Sequence, residues 1–156
     1  MKKKNQVCIK SKERSRAFGE VLTPIWLVNE MLDLLEQENP ECFTNVEKTF
    51  LEPTCGTGNF VVEIYRRKLN AAKNDRNLAE KALRSLTCIE LLEDNMLECR
   101  QRVKALFAYY GWHDLPFDEV FEKQFIIGDA LKIMKQWEEE EKNKGLISDL
   151  FEMQDD

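Results

Sequence analysis

Nine consecutive residues, Glu52-Pro53-Thr54-Cys55-Gly56-Thr57-Gly58-Asn59-Phe60, carry the most specific chemistry in this chain. They lie between a short apolar run and a helical pattern. Glycines 56 and 58 leave out the side chains that keep a ligand away from the backbone, and they aim that ligand at a helix N-terminus. Two further acids, Glu90 and Asp129, come after apolar runs of their own at 86–89 and 124–127. Carboxylates so placed accept hydrogens from ligand hydroxyl or amino groups, or cap the next helix. Thr23-Pro24 opens another helical pattern, either as a plain helix start or as part of a site. The thiols and the imidazole point nowhere comparable. Cys8, Cys42, Cys55, Cys88 and Cys99 are odd in number and contain no Cys-x-x-Cys, and His113 is the only histidine. That excludes a disulfide framework, argues against structural zinc and fits reduced thiols in the cytoplasm. Cys55 reads as a small loop residue rather than an activated thiol.

Three ligand classes compete for the glycine turn. A nucleoside triphosphate needs Gly-Lys-Ser/Thr, which the chain lacks. A dinucleotide fingerprint needs a third small residue where Val61 stands, and an acid about 20 residues further on. Here the next strand-end acid, Glu90, lies 32 residues past Gly58. A carboxylate at Glu52, directly before the turn, repels pyrophosphate and suits a ligand with an ammonium group. The third class, S-adenosylmethionine, has one.

The elements that must hold these residues emerge from periodicity. Ile25, Val28, Met31, Leu32 and Leu35 predict a helix over 24–38, with Thr23 as N-cap and Pro24 in the first turn. Asn39-Pro40 ends it. A buried strand over 48–52 leads into the glycine turn, and a helix from about 59 places Phe60, Val61, Ile64, Tyr65 and Leu69 on one face. A helical piece around Leu78 and Leu83, a strand at 86–90 and an amphipathic helix over 93–110 come next. A helical turn at 117–122, a strand at 124–127 and a helix over 130–142 complete the order. Tyr109, Tyr110, Trp112 and Trp137 read as core packing rather than base stacking. Strands alternating with helices define an α/β chain with a parallel sheet, here the 3-2-1 side of a doubly wound fold. The 156 residues suit one domain, and 43% hydrophobic content closes a modest core.

Four segments together resemble the amino-terminal part of the N6-adenine DNA methyltransferases whose cofactor motifs precede the catalytic one, a group that includes type I modification subunits. Phe18-Gly19-Glu-Val-Leu-Thr23-Pro24 resembles the family's Gly-x-x-x-Thr-Pro; 52–60 resembles its Asp/Glu-Pro-x-x-Gly-x-Gly-x-Phe; Ile89-Glu90-Leu91 and Ile127-Gly128-Asp129-Ala130 resemble the ends of its second and third strands. The resemblance implies a Rossmann-like fold for S-adenosylmethionine, truncated to about three parallel strands with flanking helices. It also implies roles. Thr23 would bond the methionine carboxylate. Glu52 would hold the ammonium end, with the loop Pro53, Thr54, Cys55, Gly56 and Gly58 and the helix start Asn59-Phe60 around it. Glu90 would accept both ribose hydroxyls, Leu91 would pack on adenine, and Asp129 beside Ala130 would take the adenine amino group.

The same resemblance exposes a gap. Methyl transfer in that family uses Asn/Asp/Ser-Pro-Pro-Tyr/Phe after a fourth strand, and no two of Pro24, Pro40, Pro53 and Pro116 are adjacent. The expectation is a truncated or split DNA adenine methyltransferase, inactive alone, or a non-catalytic cofactor- or partner-binding module derived from one. Three boundaries are expected: a basic arm at 1–17, the cofactor domain at 18–143 and an acidic tail at 144–156. The arm holds seven bases and one acid, hence +6, and the rest holds −12. Nucleic acid would therefore meet the arm alone, weakly, or come through a partner. No apolar run reaches the ~20 residues of a membrane span, and a cytoplasmic location is expected. Without a fourth strand the edge of the first needs cover from 145–151, from a second copy, or from a separate catalytic or specificity polypeptide.

Overall fold

The computed structural model describes the backbone of residues 9–152 and the side chains of residues 9–144. Lys2, Lys3, Lys4 and Cys8 of the arm, and the side chains of 145–156 in the tail, lie outside the described residues. The element order is α1 (Lys12–Phe18), α2 (Ile25–Glu38), β1 (Phe50–Glu52), α3 (Asn59–Ala72), α4 (Arg76–Leu83), β2 (Leu86–Glu90), α5 (Glu93–Tyr109), α6 (Phe117–Gln124), β3 (Phe125–Ile127) and α7 (Ala130–Glu152). The three strands form one parallel sheet in the order β1-β2-β3, with Phe50 opposite Leu86 and Cys88 opposite Phe125. This is the α/β architecture expected from alternation.

Side chains on one sheet face build the core. Leu86 and Cys88 of β2 meet Val61, Ile64, Tyr65 and Leu69 of α3, and Met96, Cys99, Val103 and Phe107 of α5, all buried. Rings interlock at the far end, with Tyr65 edge-on to Phe107 at 5.2 Å and Phe107 edge-on to Phe117 at 5.5 Å. The Tyr65 hydroxyl donates to the Leu83 carbonyl at 2.9 Å, so α3 and the end of α4 are joined by a buried polar contact. The other sheet face is thinner: Leu51 is 45% exposed, and it shares a groove with Ile126 and Trp137 of α7.

Four differences from the sequence reading have physical reasons. Pro24, not Thr23, is the N-cap of α2; its carbonyl accepts from Leu27 and Val28, so the helix begins one residue later. Residues 12–17 of the basic arm, together with Phe18, form α1, because Ser11 Oγ accepts the Arg14 amide and Gly19 closes the helix in left-handed conformation. α7 continues past the expected helix end at 142 and through the expected tail boundary to Glu152, so 145–151 is helix. Among the described residues both outer strands therefore keep one unpaired edge. Finally, Tyr110 and Trp112 pack against the core, but Tyr109 is 85% exposed.

Candidate functional site

A cavity of about 420 Å³ opens across the carboxyl ends of all three strands. Its floor is made of the residues just beyond each strand: Pro53, Thr54 and Gly56 after β1, Glu90, Leu91 and Leu92 at the end of β2, and 128–131 after β3. Its wall is residues 18–22, with Asn95 of α5 beside them. Sheet geometry dictates the place, since ligands collect at strand carboxyl ends in open α/β sheets.

The loop is fixed by its own amides. Cys55 donates to Ile89 O at 3.0 Å, Gly58 to Cys55 O at 2.8 Å, and Gly56 to Glu90 Oε2 at 2.8 Å. Glu90 also accepts the Leu92 amide on Oε1 at 2.9 Å, and Gly128 donates to the Glu90 carbonyl. One residue thus ties the ends of all three strands. Gly58 has φ +90°, and a Cβ there would stand 2.6 Å from Cys99 Sγ, so helix α3 approaches α5 through a position that only glycine fills.

Behind the floor, Asn59 connects two segments distant in sequence. Its Nδ2 donates to Thr23 O at 2.8 Å, and its Oδ1 accepts from Arg102 Nη1 at 2.8 Å. Arg102 also donates to Thr57 O at 2.7 Å. Cys55 is buried with Cys88 and Cys99; hydrogen bonding to Cys88, then burial, push its thiol well above the ordinary range. It is a packing group. Glu52 accepts the Thr54 amide on Oε1, and burial pushes its carboxyl up.

Of the residues singled out by sequence, Pro53, Thr54, Gly56, Glu90, Leu91, Asp129 and Ala130 line the cavity. Thr23, Glu52, Cys55, Gly58, Asn59 and Phe60 do not. Glu52, Cys55, Gly58 and Asn59 instead brace the loop and its neighbours through the bonds described above. Asp129 caps α7 as well: its Oδ1 accepts from Leu131 at 3.0 Å and Lys132 at 3.3 Å. Capping leaves Oδ2 toward solvent, 4.0 Å from Lys132 Nζ. Sequence reasoning missed Glu20, Asn95 and Arg102. Glu20 sits between Gly19 and Thr23 and was within reach, whereas Arg102 on a helix of mixed charge gave no signal.

Charge decides what the cavity can take. Glu20, Glu90 and Asp129 line it, and among the described residues no Lys, Arg or His does. Arg14 holds Glu20 below the usual carboxylate range, with its Nε 2.7 Å from Glu20 Oε2. The amides of Cys55, Gly56 and Gly58 are already bonded to Ile89 O, Glu90 Oε2 and Cys55 O. Such a site fits a ligand of hydroxyl, amino and apolar groups, cationic rather than phosphorylated.

Fold and site together define an α/β protein with a parallel three-stranded sheet and an acidic cavity at the strand ends. No family model, curated protein or solved structure matches the chain, so its function rests on its own geometry.

Proposed function

We propose that the cavity binds S-adenosylmethionine, and that the chain is a cofactor-binding part of an N6-adenine DNA methyltransferase-like protein. The observation that carries this reading is the cavity lining, with Glu20, Glu90 and Asp129 and, among the described residues, no base, over a turn whose Cys55, Gly56 and Gly58 amides are already bonded within the protein. That combination disfavours nucleotide phosphates and suits a sulfonium and an ammonium. Glu90 keeps a lone pair on each oxygen beyond its two amides, enough for the two ribose hydroxyls. Leu91, 54% exposed at the floor, offers an apolar face for the adenine ring. Asp129 Oδ2 is left for the adenine amino group. Glu52 acts one layer back, placing negative charge behind Thr54. When bound, the cofactor supplies the methyl group; these residues only hold and orient it.

Methyl transfer is not assigned to these residues alone, because no Asn/Asp/Ser-Pro-Pro-Tyr/Phe is present. A second reading, a non-catalytic module, is favoured by the sheet edges left unpaired among the described residues, which suit completion by another polypeptide or a second copy. DNA reaches the complex through that partner. Calorimetric titration with S-adenosylmethionine, S-adenosylhomocysteine and NAD tests the proposal. Binding of the first two, lost in Glu90→Ala, is expected; NAD binding with neither of the others would sink it. Transfer of labelled methyl to adenine-containing DNA by the chain alone would overturn the incomplete-enzyme reading.

A further inference from the structure

The cavity wall at 18–22 is attached differently from the floor. α1, which leads into it, buries no side chain. Phe18 and Val21 line the cavity yet are each 56% exposed. One end of the segment is anchored: Leu22 lies against Gly56, where a Cβ would meet Leu22 Cδ2 at 3.0 Å, and Asn59 holds Thr23 O. The other end meets the first turns of α5 through charge. Lys10 Nζ lies 2.9 Å from Glu98 Oε2, Arg14 Nη1 lies 2.7 Å from Asp94 Oδ2, and Asn95 Nδ2 donates to Glu20 Oε1 at 2.6 Å.

We infer that residues 10–22 are a lid over the cavity, hinged at Leu22-Thr23 and latched to α5 by Arg14 between Glu20 and Asp94. The inference rests on the reading that the cavity takes a small ligand. Glu20 is buried against Asn95 and stays with Arg14, whereas the Arg14–Asp94 and Lys10–Glu98 pairs have exposed carboxylates and weaken with salt, so the latch opens at those pairs without disturbing the core. When open, the lid uncovers the floor; when closed, Phe18 and Val21 cover the ligand's apolar part.

Hydrogen exchange of the ligand-free protein, read by mass spectrometry, tests the latch. In Arg14→Gln and in Asp94→Asn, amides of 12–22 should exchange about tenfold faster, while α3 and β2 stay unchanged. Raising salt from about 0.05 M to about 0.5 M should do the same to the wild type and less to Asp94→Asn, which keeps only the Lys10–Glu98 and Arg14–Glu20 pairs. Unchanged exchange at 12–22, or an equal rise in β2, overturns the latch. Release of S-adenosylhomocysteine, tracked by stopped flow, should be about fivefold faster in Arg14→Gln; an unchanged rate overturns the lid. Absence of binding by the wild type overturns the cofactor reading and the gate with it. The exchange measurement needs no ligand and still decides the latch.

Discussion

Glu90 Oε2 accepts the Gly56 amide at 2.8 Å, joining the end of β2 to the turn after β1. The bond crosses 34 residues of sequence and sets the shape of the cavity floor. Because Oε1 simultaneously holds the Leu92 amide, the carboxylate cannot rotate without losing one partner. It presents its remaining lone pairs in a fixed direction.

Glu90→Ala is accordingly expected to act twice. Two amides lose their partner at a buried position, which costs roughly 1–3 kcal/mol in a urea titration. Affinity for S-adenosylmethionine falls at least about 100-fold, well beyond the loss of a single hydrogen bond, because the floor also loosens. A variant that binds as tightly as the wild type would remove Glu90 from the site.

Gly58→Ala tests the close approach of α3 to α5. A Cβ would meet Cys99 Sγ at 2.6 Å and Cys99 Cβ at 3.2 Å, on a backbone at φ +90°. The left-handed conformation alone costs about 1–2 kcal/mol for a non-glycine residue, and the clash brings the loss to about 2–4 kcal/mol. Cys99→Ala relieves the sulfur contact and not the backbone. The double variant should therefore be about 1 kcal/mol more stable than the sum of the single variants predicts, a coupling read from thermal or urea unfolding. Strict additivity would show that the two residues do not press on each other.

These two contacts mark what is legible in the sequence. The glycine turn, the strand-end acids and the parallel sheet come from local signals: turn glycines, apolar runs of four or five, and helical spacing between them. Segment ends slip where a backbone carbonyl does the work of a side chain, as Pro24 does for α2. The wall of the cavity is hidden from sequence because it is built by pairing across the fold. Locally, Arg14 is one charge of a solvated arm, yet it reaches Asp94, 80 residues away. Arg102 is one base among several on α5, and only the fold brings it to Thr57 and Asn59. Composition gives no hint that the amides of Cys55, Gly56 and Gly58 are bonded internally.

Glu52→Gln separates folding from binding. Burial raises the Glu52 carboxyl above its ordinary value, so the folded protein holds this proton to higher pH than the unfolded chain. Its contribution to stability is intact below the unfolded value of about 4.3 and declines as pH rises through the folded one. Glutamine keeps the acceptor for the Thr54 amide and carries no charge. The variant should melt higher than the wild type at pH 7, with the gain vanishing near pH 4, and should bind S-adenosylmethionine several-fold more weakly. A melting gain independent of pH would show that the charge is not the cause.

Lys68 is fully buried in α3, and its ammonium donates to Val46 O at 3.0 Å, to Lys48 O and to Ser85 Oγ at 2.8 Å. It lies 4.9 Å from the Phe50 ring centroid, so one side chain ties the loop before β1, the start of β2 and β1 itself. Burial lowers its pKa from 10.5 to about 8. Between those values the unfolded chain keeps a proton that the folded protein has released, so stability rises as pH increases from about 8 to about 10.5. Lys68→Met removes that rise and takes the donor away from Val46 O, Lys48 O and Ser85 Oγ. At pH 7 the variant should lose about 1–3 kcal/mol, and its stability between pH 8 and 10.5 should lack the wild-type increase. Because β1 carries the glycine turn on its end, the loss should also appear as faster hydrogen exchange at 53–58. A variant unchanged in that segment would show that the turn is held by Glu90 and Arg102 without help from the lysine.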